Sequence, residues 1–396
     1  MASETVSTGS PVSASPPISA PMRRALELAE RGLGRVSPNP MVGAVVVRGG
    51  EADPARVAEE VVGEGWHAEL GGDHAEVAAL RAAGERARGS TLYMTLEPCC
   101  HHGRTPPCTD AIVAAGVSRV VYAVHDPNPE ARGGAAVLRA AGVDVERASA
   151  EAVEAAVRQN AAFLWSHAAG RPFVVLKLAM TIDGKLSASI GSRTEITGQE
   201  TWERVHRMRA AADAVLVGRG TVAADDPRLT ARADLRPRVP PVRVVLDTTA
   251  SIASDSALVA DASDGPVLVV TAGDVHPDRI YALHDAGVET AVVRRTPDGL
   301  LDPAAVLHRL HERGVQSVLV EGGARTADSF LAAGLVERFH QFLAPWFIGP
   351  PGVPAFVDAG SGERGAWRLA TAGLSGADAH VVWERAAAFD RLLGAA

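Results

Sequence analysis

Cysteine is scarce in this 396-residue chain: three residues, all between positions 99 and 108. So few thiols in one window exclude the disulfide framework of a small secreted scaffold and point to a localised site in a reducing compartment. Aromatic residues are also rare, at 4%, so the cores must be packed by small and branched aliphatic side chains. No apolar run approaches the ~20 residues that a membrane helix requires. Basic residues do not prevail, for the formal net charge is -8. That balance argues against a nucleic-acid or anionic-membrane partner, yet a few local arginines suffice to hold an anionic small molecule. Residues 1–21 are rich in Ser, Pro and Ala and lack the basic start and hydrophobic centre of a secretory signal. They read as a disordered tail, and the protein as cytoplasmic.

What is present is a globular composition, 47% apolar and 22% charged, long enough for two cores. From Met22 helical and strand periods alternate. Helices are expected at Met22–Arg31, His74–Ala83, Cys108–Ala115 and Gly134–Ala141, and strands at Met41–Val47, Val61–His67, Thr91–Thr95, Arg119–Val124 and Val143–Glu146. Glu51–Glu60 reads as a charged excursion. An Ala-rich helical stretch at 148–170 ends at Gly170 and Pro172 and marks a linker between unit 22–147 and unit 171–396. The second unit opens with strand Phe173–Met180 and helix Gly198–Ala211, for which Thr197 is the candidate N-cap. Strands follow at 214–217, 242–246, 267–270, 290–293, 317–320, 338–347 and 380–384, with helices near 303–313 and 325–333. Strands alternating with helices predict an α/β protein.

His74-Ala75-Glu76 opens a helix, and Cys99 and Cys108 follow. One imidazole and two thiolates hold zinc in three positions and leave a fourth for water, whose pKa the metal lowers toward ~7. A Glu two residues past the His need not bind metal and is free to shuttle protons, the logic of zinc nucleobase deaminases. Eight residues rather than two separate the cysteines here. A closed structural site, with Cys100, His101 or His102 as fourth ligand, is the competing reading.

The longer string Leu96-Glu97-Pro98-Cys99-Cys100-His101-His102-Gly103-Arg104-Thr105-Pro106-Pro107-Cys108 closely resembles the bifunctional riboflavin-biosynthesis deaminase/reductase family. Ser37-Pro38-Asn39-Pro40, His74-Ala75-Glu76-Val77 and Asp126-Pro127-Asn128-Pro129 match its pattern too. The resemblance implies a cytidine-deaminase-like α/β/α sandwich with zinc on His74, Cys99 and Cys108 and with Glu76 as proton shuttle. It places Asn39, His67, Arg104, Asp126 and Asn128 around a pyrimidine and its ribose phosphate. Asp73 stands where the family pattern has Pro, and an acid there is expected to cap the helix. The 51–60 segment is expected to be an insertion.

In the second half Lys177 lies on an otherwise aliphatic strand and points either to solvent at an edge or into a cleft. Gly218-Arg219-Gly220-Thr221-Val222-Ala223 formally matches a dinucleotide-binding turn, with Asp247 after the next strand. Asp225, Asp226 and Pro227 argue against it, standing where the helix that receives the pyrophosphate is expected to begin. Glu321-Gly322-Gly323, leading from a strand into a helix, is the better phosphate cradle. Resemblance to the same family covers nearly all of this half and implies a dihydrofolate-reductase-like α/β domain using NADPH. By position Ala179, Glu195, Thr221, Asp225, Thr248, Gly323, Ala324, Arg325, Thr326, Ala327, Asp328 and Ser329 line the cofactor, although Glu195 replaces an expected aromatic. Arg193, Arg209, Leu229, Arg232 and Glu321 line the substrate, and Lys177 and Asp225 are candidates beside the reacting carbon.

The expected activity is deamination of 2,5-diamino-6-(5-phosphoribosylamino)pyrimidin-4-one by zinc-activated water. NADPH reduction of the ribosyl group follows, giving 5-amino-6-(5-phosphoribitylamino)uracil. Expected partners are this small molecule and a second copy of the chain, with no nucleic acid or membrane. Alternatives are another nucleotide deaminase fused to an unrelated reductase, and a zinc-organised non-catalytic module, in which Glu76 has no use.

Overall fold

The computed structural model describes residues 17–48, 61–101, 106–232, 236–360 and 364–396. The 51–60 excursion, Arg104 and the tail as far as residue 16 lie outside the described residues. The first unit runs α1 (Ala20–Ala29), β1 (Gly43–Val47), β2 (Val61–Trp66), α2 (Ala75–Ala83), β3 (Thr91–Leu96), α3 (Cys108–Ala114), β4 (Arg119–Val124), α4 (Gly134–Ala140) and β5 (Asp144–Arg147). The helix α1 thus takes in the last two residues of the expected tail, with Pro21 in its first turn, where a missing N–H costs nothing. The five strands form one sheet in the order β2-β1-β3-β4-β5. The β1 strand is antiparallel to both β2 and β3, whereas β3, β4 and β5 are parallel.

Glycines set how closely helices approach this sheet. A Cβ at Gly65 would fall inside the backbone of α2 at Ala75 and Ala79, and one at Gly63 would lie 2.8 Å from the Ala83 nitrogen. Gly63 and Gly65 share a face, two residues apart on β2. They seat α2 against the sheet and so fix its N-terminal end, where His74 and Glu76 sit.

Two helices, α5 (Ala150–Gln159) and α6 (Ala161–Ala169), occupy the expected linker. They do not merely connect: Val153, Val157, Leu164 and Trp165 belong to the first core. The second unit contains β6 (Phe173–Thr181), β7 (Lys185–Ser187), α7 (Gln199–Ala211), β8 (Ala214–Gly218), α8 (Arg219–Asp225), β9 (Val242–Leu246), α9 (Ala257–Ala260), β10 (Val267–Thr271), α10 (Pro277–Asp285), β11 (Glu289–Val292), α11 (Pro303–His311), β12 (Ser317–Val320), α12 (Ala324–Ala332), β13 (Arg338–Ala344), β14 (Val353–Pro354), β15 (Trp367–Ser375), β16 (Asp378–Arg385) and α13 (Ala386–Ala395). Nine strands form a sheet in the order β11-β10-β9-β8-β12-β6-β13-β16-β15, parallel from β11 to β13. The hairpin β15–β16 closes one edge antiparallel. The central strands β10 and β12 are buried throughout, which explains their unbroken Val/Leu runs. Separate apolar clusters cover the two faces.

The C-terminal helix crosses between the units. Ala388, Phe389 and Leu392 of α13 pack into the first core, and the His125 N–H donates to the Ala396 carbonyl at 3.2 Å. Thr197 does not cap α7. Its N-cap is Gly198, and the capping oxygen comes from Asp378, which accepts from the Gly198 N–H (2.9 Å) and the Thr201 hydroxyl (2.7 Å). A carboxylate delivered from another strand replaces the local cap that the sequence offers.

Candidate functional site

The N-terminus of α2 and the loop after β3 bring His74, Cys99 and Cys108 together. His74 Nδ1 lies 3.1 Å from Cys108 Sγ and 3.6 Å from Cys99 Sγ, and the three ligand atoms all lie within 4.8 Å of one another. Cys108 opens α3 and is fully buried. Hydrogen bonding from Cys108 and His74, against the opposing effect of burial, lowers the Cys99 thiol well below its ordinary value. A ready thiolate beside a second thiol and an imidazole is a soft donor set that fits zinc and leaves one position open. Cys100 is not in the cluster: its Sγ lies 3.2 Å from the Arg132 carbonyl. Glu76 is buried beside the trio, in the first turn of α2, and desolvation raises its carboxyl to about 7.

His74, Glu76 and Cys99 line a cavity of about 400 Å³ with Asn39, His67, Glu97, His101, Asp126, Asn128, Phe163, His167 and Gln316. Asn39, His67, Asp126 and Asn128 of the expected substrate set are therefore brought together with the metal cluster. Asp126 and Asn128 also shape the turn that follows β4, accepting from the Asn128 and Glu130 N–H groups at 2.9 and 3.1 Å. Burial raises the Asp126 carboxyl and lowers the His67 imidazole. Asp73 does not cap α2, whose N-cap is His74; its carboxylate pairs with Arg81 at 2.6 Å. The sequence pattern missed Phe163, His167 and Gln316, which come from the expected linker and the second unit. Glu97 was visible inside the motif, and its role is to hold the Asp126 and Ala135 N–H groups and His125.

In the second unit the expected residues gather outside the carboxyl ends of β9, β8, β12 and β6, where open parallel sheets bind ligands. Lys177 is not at an edge, since β6 lies between β12 and β13. Leu176 and Leu178 face one core, so Lys177 points to the opposite face. There Glu321 accepts a bidentate pair from Arg209 (2.6 and 3.0 Å) and lies 3.8 Å from Lys177 Nζ. Burial lowers the Lys177 ammonium and raises the Asp225 carboxyl. Lys177 and Arg193 both act electrostatically on Asp225, which places these groups in one neighbourhood. Arg232 joins it through His206, whose Nδ1 lies 3.1 Å from the Arg232 nitrogen.

Several expected contacts are organised differently. Leu229 has φ 54° and is buried in a core. Glu195 is 86% exposed and 3.6 Å from Arg193. Ala327 is closed inside the core, and Asp328 accepts from the Val357 and Asp358 N–H groups at 2.9 and 2.8 Å. The case against the Gly218–Ala223 turn also needs correction. The helix α8 begins at Arg219, so Asp225 and Asp226 stand at its end rather than its start. Asp247, however, is committed to the turn after β9, accepting from Ser251 and Ile252 N–H at 2.6 and 2.7 Å. It does not serve as a ribose acid. Gly323 is the N-cap of α12, with φ -69°, so no positive-φ strain attaches to it. A Cβ there would meet only the Thr221 hydroxyl, at 3.6 Å. The open space before a helix N-terminus fits a cofactor phosphate.

Comparison with known proteins agrees with this geometry. The model for the RibD C-terminal domain matches residues 172–381, and that for the cytidine and deoxycytidylate deaminase zinc-binding region matches residues 17–124. The riboflavin biosynthesis protein RibD of Aquifex aeolicus is 41% identical over 329 residues, covering 83% of this chain and 87% of that protein. The chain belongs to the RibD family. The RibD of Escherichia coli is 36% identical, covering 85% and 92%. Among solved structures, Acinetobacter baumannii RibD superposes with a TM-score of 0.76 at 33% identity, covering 92% of this chain and 98% of that one. The Thermotoga maritima diaminohydroxyphosphoribosylaminopyrimidine deaminase/5-amino-6-(5-phosphoribosylamino)uracil reductase gives 0.76 at 34%, covering 92% and 97%. As a RibD-family protein this chain is a bifunctional enzyme of riboflavin biosynthesis. It is a zinc deaminase and an NADPH reductase acting on a small pyrimidine. No helix among the described residues is long and apolar enough to cross a membrane.

Proposed function

We propose the following division of roles within that activity. His74, Cys99 and Cys108 hold the zinc, and Glu76, Asn39, His67, Asp126 and Asn128 form the rest of the deaminase site with Arg104. Zinc bound there supplies a water that is acidic enough to react at neutral pH. Glu76, with its carboxyl at about 7, would carry one proton from that water to the ring nitrogen as the oxygen adds, and then a second, from the added hydroxyl, to the amine that leaves as ammonia. The observation that carries this is the burial of Glu76 beside, but outside, the His74–Cys99–Cys108 trio.

In the reductase site Arg193, Arg209, Arg232 and Glu321 line the sugar-phosphate substrate, the arginines supplying the charge that suits its phosphate and Glu321 holding Arg209 in place. Gly323 and the first turn of α12 receive a cofactor phosphate, with Thr221 and Thr248 alongside. NADPH bound there supplies the hydride that reaches C1 of the ribosyl group. Lys177 and Asp225 flank that carbon, one of them protonating the ring oxygen released as the sugar opens. The unit boundary near 148–170 is part of the same proposal, as is association with a second copy, which the exposed Leu369 and Leu374 on the edge strand β15 support.

The test is metal content against activity. Glu76→Gln is expected to keep about one zinc per chain and lose deamination, because the carboxylate moves protons rather than binding metal. Cys108→Ser is expected to lose both. Zinc lost equally from the two variants would remove the shuttle role from Glu76.

A further inference from the structure

The deaminase cavity lies in the first unit, yet part of its frame comes from the second. Ser37 donates its hydroxyl to Asp213 Oδ1 at 2.5 Å. Asp213, just ahead of β8, accepts through Oδ2 from the Gln316 N–H (2.9 Å), the Ser317 N–H (2.9 Å) and the Ser317 hydroxyl (3.0 Å). That carboxylate is thereby fixed to the start of β12. From the other side Arg238 donates Nε to the Arg35 carbonyl (3.2 Å) and Nη2 to the Ser37 carbonyl (3.3 Å), and its backbone N–H to the Gly34 carbonyl (2.8 Å). Gln316, next to these ties, is the one residue of the second unit among the described residues lining the cavity.

The segment so held ends at Asn39, whose N–H donates to the Val36 carbonyl at 2.8 Å and closes a turn around Ser37. The Asn39 side chain is set in its turn. His67 Nδ1 lies 3.0 Å from the Asp73 carbonyl, which only accepts, so Nδ1 carries the proton. His67 Nε2 is then an acceptor, and the Asn39 Nδ2 group 3.2 Å away donates to it. Asn39 Oδ1 is left to accept from a ligand in the cavity.

We propose that Asp213 and Arg238 are positioning residues for the deaminase: the second unit holds the Ser37–Asn39 turn so that Asn39 meets the pyrimidine substrate. This rests on the reading of Asn39 as a substrate contact. Contacts that only glued the units together would alter stability and both activities alike. Contacts that position a binding group instead alter substrate affinity at one site, which appears in KM more than in kcat.

The experiment uses the full chain with Ser37→Ala and Arg238→Ala, neither of which touches the metal cluster or the reductase site. Deaminase kcat and KM on the diaminopyrimidinone phosphate, reductase constants on the deaminated substrate and zinc content are measured together. Each variant is expected to raise deaminase KM about fivefold, the worth of roughly one hydrogen bond. Deaminase kcat should stay within about twofold, with zinc and reductase constants unchanged. Ser37→Thr, which keeps a hydroxyl, should restore the parent KM. A deaminase KM unchanged in both variants overturns the proposal. So does a parallel fall in zinc, reductase and deaminase, which would mark the ties as structural. A parent chain that does not deaminate this substrate would instead refute the reading of the cavity itself.

Discussion

Replacing Glu321 by Gln removes a negative charge that faces two buried cations. Its side chain is 7% exposed, it accepts two hydrogen bonds from Arg209 at 2.6 and 3.0 Å, and Lys177 Nζ lies at 3.8 Å. Burial alone would raise the carboxyl, but Arg209 and Lys177 outweigh it and leave the pKa lowered. Glu321 is therefore ionised at neutral pH. Its contribution to stability is present above the usual carboxylate range and is lost as pH falls through the depressed folded-state value. Without that charge Arg209 is left as a buried cation without its partner, and the Lys177 ammonium, already lowered by burial, loses the neighbour that raised it. Breaking a buried pair on one side costs about 3–5 kcal/mol. Because the chain has separate cores, a single unfolding midpoint is not meaningful, and hydrogen exchange of β6 and β12 in urea is the appropriate assay. These peptides should lose about 3–5 kcal/mol of protection while β1 and β3 are unaffected. Glu321→Gln/Lys177→Met should recover part of the loss. A loss under about 1 kcal/mol in β6 and β12 would refute the reasoning, since it would mean that the pair is solvated.

Three glycines around α12 should behave differently under the same kind of substitution. Gly323→Val should fold normally, because its φ is -69° and its nearest neighbour is 3.6 Å away, yet it should weaken NADPH binding in a titration at least tenfold, about 1.4 kcal/mol. Gly218→Val, whose Cβ would sit 2.6 Å from Thr326 Oγ1, and Gly322→Val, whose Cβ would fall inside the Thr326 side chain, should lower thermal stability instead. Asp378→Ala should destabilise the second unit by about 1–2 kcal/mol in urea, because the N-terminus of α7 loses its only side-chain cap among the described residues. A fragment ending near residue 147 should be insoluble or lose zinc on gel filtration, since it strips α5, α6 and α13 from the first core.

Most elements were legible because their apolar periods are local. The strands Arg119–Val124, Val242–Leu246 and Ser317–Val320 have the ends that the sequence suggests. The strand β15 was missed because WRLATAGLS neither alternates nor forms an apolar run; pairing with β16 holds it as a strand. The helix α13 was missed in effect as well as in place, because its apolar side is matched to a core more than 200 residues earlier in the chain. The metal trio could be read, since thiol and imidazole chemistry restricts the choice to few residues. The orientation of Lys177 could not, because whether β6 lies at an edge or the centre is decided by strand order. Nor could Gln316, which reaches the deaminase cavity only because the two units are docked.

The central claim is that one chain carries two ordered reactions on one phosphorylated pyrimidine. The direct measurement is mass spectrometry of the products after the zinc-loaded chain is incubated with the diaminopyrimidinone ribosylamino phosphate, with and without NADPH. The account predicts that the deaminated ribosyl compound accumulates without NADPH and the deaminated ribityl compound forms with it. Reduction of substrate that still carries its amino group, or no reaction until NADPH is added, would contradict it.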